Sequence, residues 1–371
     1  MVMHWNASPY GKGLLQWAFY ALFINLEDDF LVRRGGNRLK YQVEQAIKEV
    51  NYIGQSKREA RSEGNSGIHS TTQVQHVLSV SQNFVQWAKD QHGVSDLYQL
   101  KRAHYREYIE HMKKTDVSNG HLINIETNLR LLGKGMAAVA AARGWRERDW
   151  IPKTRLIEVA SREKPTNRAL SEEKLTSLQS VANTSFHEGM NLGMAFGLRL
   201  REVANTTAAH IVEKNGTLYW NAVADRNALN TAVGVTKGGR PRETPVNPSY
   251  EAVIREMING KAPDEKICSV AYNTLKSAYT RYNVGGSHTF RHTYARDMLM
   301  LELRRRGIAV EGRKMLKRML ENREKGVRKD HLVTREERAL YKQVNEVVDV
   351  IHGYLGHGKG RIDLCEVYMC F

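Results

Sequence analysis

Gly285-Gly286-Ser287-His288-Thr289-Phe290-Arg291-His292-Thr293 reads as a chain break followed by the first turn of a helix, which the apolar run from Tyr294 to Leu303 continues. Ser287 stands where a cap is expected. His288 and Arg291 are three residues apart, so on a helix they share a face. A cation beside a titratable imidazole suits a phosphate that must be held while a proton moves. A surface His and Arg on an ordinary helix would look the same in isolation, so the weight of the reading rests on its neighbours.

Working outward, Leu170-Ser171-Glu172-Glu173 is a helix start, with Ser171 as cap and acids in the first turn. The run Gly193 to Val203 reads as one further helix. The pattern then changes. Asn215-Gly216 lies between Ile211-Val212 and Leu218-Tyr219-Trp220, a hairpin signal. Val233 to Thr236 and Glu243 to Val246 flank Lys237-Gly238-Gly239-Arg240-Pro241-Arg242, a second hairpin with a basic tip. Helices resume after Pro248. The fold class is therefore mainly α with a small antiparallel β-sheet (α+β).

Before this unit, residues 67–160 read as a helical domain. Val74, Val77, Leu78, Phe84, Val85 and Ala88 mark one amphipathic helix, Leu100 to Met112 a second and Leu122 to Ala142 a third. Basic residues such as Arg102, Arg106, Arg130 and Lys134 punctuate these helices, and a bundle with basic faces suits a duplex backbone. The mixed, basic segment from Trp145 to Arg168 marks the boundary, with the second domain at 161–371. Residues 1–66 read as a helical N-terminal extension, with Leu14 to Leu26 at helical spacing and Val43, Ile47 and Val50 on one side of a second helix. The apolar stretch at Leu14 is too short to span a bilayer and lacks a basic n-region or cleavage site, so no membrane is expected.

The 371 residues carry 56 Lys and Arg against 40 Asp and Glu, a formal charge of +16 and a pI near 9.7. A balance so basic points to a polyanion, most simply nucleic acid. Hydrophobic residues make up 41% and aromatics 8%, as in a globular chain. Three unevenly spaced cysteines, Cys268, Cys365 and Cys370, give no disulfide framework or zinc ribbon, and fit a reducing cytoplasm.

Five features in one order resemble the tyrosine recombinase (phage integrase) family. Gly197-Leu198-Arg199-Leu200-Arg201-Glu202 resembles its first arginine box, Lys237 on the hairpin tip its lysine, His288-Thr289-Phe290-Arg291-His292 its His-x-x-Arg box and Leu355-Gly356-His357 its third box. Tyr368, the sole tyrosine after that box, stands in the nucleophile's place. The resemblance implies a helical core-binding domain followed by a catalytic domain. It implies DNA strand cleavage and rejoining through a 3′-phosphotyrosyl intermediate, without metal, cofactor or ATP. Arg199 and Arg291 would clamp the phosphate, Glu202 would support Arg199, and Lys237 would protonate the leaving oxygen. His288 would take the tyrosine proton or brace the phosphate, and His357 would hydrogen-bond it. The partners implied are double-stranded DNA with inverted-repeat sites, a homo-tetramer on synapsed DNA and accessory DNA-bending proteins, in a nucleoid-associated, cytoplasmic setting. The role would be integration or excision of a mobile element.

Two departures are visible. The interval from His357 to Tyr368 is longer than the family's usual one. A basic insert, at about residues 304–342, separates Arg291 from His357 and reads as a DNA-contacting or subunit-contacting element or as a solvated helical hairpin. Two other readings stand beside the recombinase. In one, His288, His292, His352 and His357 are metal ligands of a phosphodiesterase, His288 and His292 having an i, i+4 spacing; no His-Glu-x-x-His or carboxylate cluster accompanies them. In the other, the chain is a recombinase-derived DNA-binding protein without activity.

Overall fold

The computed structural model describes residues 38–53, 60, 62–64, 67–161, 163, 166–222 and 241–369. The helix expected at Leu14 to Leu26, the arm Val233 to Thr236 of the second hairpin, and Lys237 lie outside them. The chain divides into two compact units, Met1–Lys164 and Pro165–Phe371.

The first unit is a helical bundle of α1 (Arg38–Lys48), α2 (Thr71–His92), α3 (Arg102–Lys113) and α4 (Asn119–Ala142). Ser70 caps α2 by accepting from the Gln73 amide, and Gly93 ends it in the left-handed region at φ 66°. The apolar stripe of α1, Val43 and Ile47, is buried in one core with Phe84 and Val85 of α2 and Leu129 and Leu132 of α4. Helices α1 and α4 touch backbone to backbone at Gly135. A Cβ there would stand 1.9 Å from the Ala46 carbonyl oxygen. The bundle thus already includes residues from Arg38 onward, within the stretch the sequence sets apart as an extension. A stripe shows that a face is buried but not what covers it. Glu126, fully enclosed on α4, accepts from the Tyr105 hydroxyl at 2.9 Å and from the amides of Leu156 and Ile157 at 2.9 and 3.3 Å, fixing the strap that leaves the bundle.

The second unit begins with α5 (Glu172–Gln179), capped by Ser171 as its sequence suggests, and α6 (Thr184–Phe196). The expected single helix across Gly193 to Val203 is two. Gly197 closes α6 at φ 60°, and α7 (Leu200–Asn205) starts with Arg199 as its cap. The break is set by packing, because a Cβ on Gly197 would come 2.5 Å from the Tyr294 ring. A three-stranded antiparallel sheet follows, β1 (Ile211–Lys214), β2 (Thr217–Asn221) and β3 (Glu243–Pro245), in the order β1-β2-β3. Asn215 and Gly216, at φ 50° and 76°, form the turn that puts Ile211 opposite Trp220.

Helices α8 (Glu251–Ile258) and α9 (Tyr272–Arg281) lead to α10 (Thr289–Arg305), α11 (Ala309–Glu324), α12 (Arg338–Tyr354) and α13 (Ile362–Tyr368). Helix α6 lies against α10, where a Cβ on Gly193 would come 2.9 Å from that of Phe290. Ser287 is not the cap of α10. That position falls to His288, without a side-chain cap bond, and the Ser287 hydroxyl instead lies 3.2 Å from the His288 ring nitrogen Nδ1. The basic insert forms α11 and the loop after it. Met315, Leu316 and Met319 are buried in one core with Leu299 of α10 and Val344, Val347 and Ile351 of α12. Among the described residues no helix is long and apolar enough to cross a membrane.

Candidate active site

The carboxy-terminal end of α12 organises the site. Carbonyls in a helix's last turn lack intrahelical partners and must be satisfied from outside. That of Tyr354 accepts from the Thr244 hydroxyl of β3 at 2.8 Å. That of Leu355 accepts from two guanidiniums, Arg242 Nη1 at 3.3 Å and Arg291 Nη2. Gly356 then turns the chain at φ 66°; a Cβ there would press on Arg242 at 3.1 Å. The turn delivers His357, whose amide donates to the His352 carbonyl at 2.7 Å.

Glu202 is the carboxylate around which these cations gather. At 1% side-chain exposure it accepts Arg199 Nη1 on one oxygen at 2.7 Å, and the Arg199 amide and Arg242 Nη2, both at 2.7 Å, on the other. Burial alone would raise its pKa. Arg242, Arg291 and Arg199 outweigh burial and hold the pKa below the ordinary carboxylate value. Arg242, buried beside it, also lies 4.8 Å from the centre of the Trp220 ring. Burial pulls Arg242 down, opposed by Glu202.

Arg291 is fully enclosed. Its Nη1 donates to the Gly197 carbonyl at 2.7 Å, and Nη2 lies 3.4 Å from His357 Nε2. Burial first, then Arg242 and Arg199, lower its pKa to about 9, so it remains a cation at neutral pH. The Tyr368 ring lies 5.8 Å from its guanidinium. That ring sits between two imidazoles, 4.4 Å from His292 and 5.1 Å from His357. His357 in turn meets His352, Nδ1 to Nδ1, at 3.3 Å. Burial is the main cause that depresses His357 to about 3, with Arg291 next, and burial likewise takes His292 and His352 to about 4. His288 is shifted down by burial, then by Arg291, Arg199 and Arg168. At neutral pH the imidazoles are therefore uncharged and able to accept or relay protons.

Of the residues expected from sequence, Arg199, Glu202, His288, Arg291, His357 and Tyr368 converge on this site, while Lys237 lies outside the described residues. Sequence reasoning did not assign Arg242, His292 or Arg168 to the site. Arg242 was legible only as part of a basic hairpin tip. His292, a metal ligand in one reading of the sequence, instead accepts the Arg168 amide on Nδ1 at 3.3 Å, and its ring has a backbone hydrogen bond with Val367, just before Tyr368. Among the described residues, no three or more His, Cys, Asp or Glu side chains are grouped as a metal ion would need.

No protein-family model and no curated protein matches the chain. Solved structures do. The XerH site-specific recombinase bound to difH substrate in a pre-cleavage complex is 12% identical, covers 90% of this chain and 94% of that one, and has a TM-score of 0.48. The Tn1549 transposon integrase in complex with a circular intermediate DNA is 12% identical over 88% and 96% of the two chains, with a TM-score of 0.46. A lambda integrase dimer bound to a COC′ core site is 15% identical over 64% and 67%, with a TM-score of 0.42. Every one of these scores lies below 0.5, so the roles assigned below rest on this chain's own residues.

Proposed function

We propose that the protein is a site-specific tyrosine recombinase that cleaves and rejoins DNA strands through Tyr368. One observation carries the reading. The ring of Tyr368 lies against Arg291, His292 and His357, on the same carbonyl-and-carboxylate frame that holds Arg199. A tyrosine among arginines and neutral histidines suits attack on a phosphodiester. The Tyr368 oxygen attacks phosphorus, the bond to the 5′ oxygen breaks, and a 3′-phosphotyrosine retains the bond energy for rejoining. Arg199 and Arg291 hold the non-bridging oxygens, as paired guanidinium donors suit phosphate. His288 takes the tyrosine proton, His357 hydrogen-bonds the phosphate, and Lys237 gives the leaving oxygen its proton. The reaction needs neither metal nor ATP. Arg291 is fully enclosed, with the Tyr368 ring centre 5.8 Å from its guanidinium, so substrate engages it only once the surrounding side chains give way.

The substrate is double-stranded DNA carrying inverted-repeat sites, bound in the cytoplasm at the nucleoid by a homo-tetramer, with accessory bending proteins, in integration or excision of a mobile element. The helical bundle, residues 67–160 with α1 packed into it, is the core-binding domain and 161–371 the catalytic domain. The test is a nicked suicide duplex in EDTA. The wild-type chain is expected to leave a protein–DNA adduct through a 3′ phosphate, and Tyr368→Phe to bind the duplex without forming one. An adduct that persists in Tyr368→Phe and vanishes in Tyr354→Phe would reassign the nucleophile, and the absence of any adduct would remove the chemistry.

A further inference from the structure

Among the described residues, the arginines of the site are committed to partners, with one exception. Arg199 and Arg242 share Glu202, and Arg291 is bound to the carbonyls of Gly197 and Leu355. Arg168 is exposed, and among the described residues its guanidinium has no carboxylate or carbonyl partner. Its backbone, in contrast, is fixed along α10. The Arg168 amide donates to His292, and the Leu170 amide to the Thr293 hydroxyl at 2.9 Å. The guanidinium lies over the Gly285-Gly286 turn, where a Cβ on Gly286 would come 3.2 Å from Nη1. Gly286 is at φ 121°, so the turn that delivers His288 depends on glycine.

That turn leads into the amino-terminal end of the 17-residue α10, where free amides and the helix dipole favour an anion. A second feature of the same turn stands beside it. Thr289, 2% exposed, has a buried hydroxyl with no hydrogen-bond partner among the described residues, 3.3 Å from where a Gly285 Cβ would stand. A fixed backbone, an uncommitted guanidinium, a helix amino-terminus and an unsatisfied hydroxyl thus meet beside His288.

We propose that Arg168 is a substrate-contacting residue that holds a backbone phosphate adjoining the one at Arg199 and Arg291. The inference rests on the strand-transfer reading above, and deepens it by naming a second phosphate position. Its cation also opposes protonation of His288 and His292, which keeps His288 free to accept a proton.

The test uses the full chain and a duplex that the wild-type protein enriches from a random-sequence library. Affinity is measured against salt, and adduct formation on a nicked form of the same duplex is followed across pH. Each phosphate neutralised contributes about −0.9 to the logarithmic salt slope. Arg168→Ala is expected to make the slope shallower by about that amount, to weaken binding roughly three- to tenfold at fixed salt, and to move the acid limb of the cleavage profile upward. Arg168→Lys is expected to restore the slope. Because the side chain is exposed, thermal unfolding of both variants should match wild type. A wild-type chain that binds the duplex, with an unchanged slope in Arg168→Ala, overturns the role of Arg168 and leaves the strand-transfer reading standing. A wild-type chain that enriches no duplex overturns both.

Discussion

Leu355 offers no reactive side chain, yet its carbonyl oxygen receives both Arg242 and Arg291. The arginines therefore divide by burden. Arg291 is both a candidate clamp and a tie between the Gly197 and Leu355 turns, whereas Arg199 keeps 25% of its side chain exposed and, among the described residues, binds Glu202 alone. Lysine retains the charge but not the fork that spans two acceptors. Arg291→Lys is expected to lose about 1–3 kcal/mol of stability, because one buried carbonyl is left unpaired, and to lose adduct formation. Arg199→Lys is expected to lose adduct formation while unfolding within a few degrees of wild type. Chemical denaturation beside the trapping assay checks this; equal stability losses would show that the two arginines carry the same structural load. The residue types of the boxes were legible because the chemistry demands them. Arg242 was not, since its importance comes from a carboxylate forty positions earlier and a carbonyl more than a hundred later, separations that leave no local pattern.

Helix α11 shows what charge counting conceals. The insert from about 304 to 342 looks basic and therefore superficial, but several of its arginines are paired, Arg318 with Glu337 at 2.9 Å and Arg323 with Glu366 at 2.5 Å. The second pair ties α11 to α13, the helix that ends at Tyr368. Meanwhile Met315, Leu316 and Met319 form an apolar stripe sunk between α10 and α12. The sequence reads the insert by its charge; that an apolar stripe completes the core beneath the site was not legible, because its partners lie on helices flanking the insert. Met319 is fully buried, so Met319→Ala is expected to cost about 2–5 kcal/mol, read by denaturant titration of the full chain. A loss below about 0.5 kcal/mol, as at ordinary surface positions, would return α11 to a solvated hairpin. The hairpin at Asn215-Gly216 was fully legible by contrast, because its register follows from two residues at positive φ.

Across the whole molecule, the +16 charge and the uncharged histidines of the second unit act in one direction when pH falls. His292, His352 and His357 are depressed to about 4, 4 and 3, chiefly by burial. Around them, Arg291, Arg199, Arg168, His288 and the Arg361 guanidinium disfavour protonation, whereas Asp349, Asp363 and the backbone hydrogen bonds at Arg361 and Val367 favour it. An unfolded histidine titrates near 6.5. Below that value the unfolded chain takes up protons that the native site refuses, so stability falls with pH from about 6.5 down to the folded values. Glu202, also depressed, adds a loss with the same sign as pH falls through its own folded value, within the acid range. The melting temperature is therefore expected to decline steadily from pH 7 to pH 4. His352→Asn should melt lower at pH 7, because a buried, packed ring is removed. Its decline should nonetheless be shallower, by the one proton per chain that His352 no longer takes up on unfolding. Parallel declines in wild type and His352→Asn would mean that His352 is protonated in the folded chain as readily as in the unfolded one. The neutral state of His352 in the folded chain would then have to be abandoned.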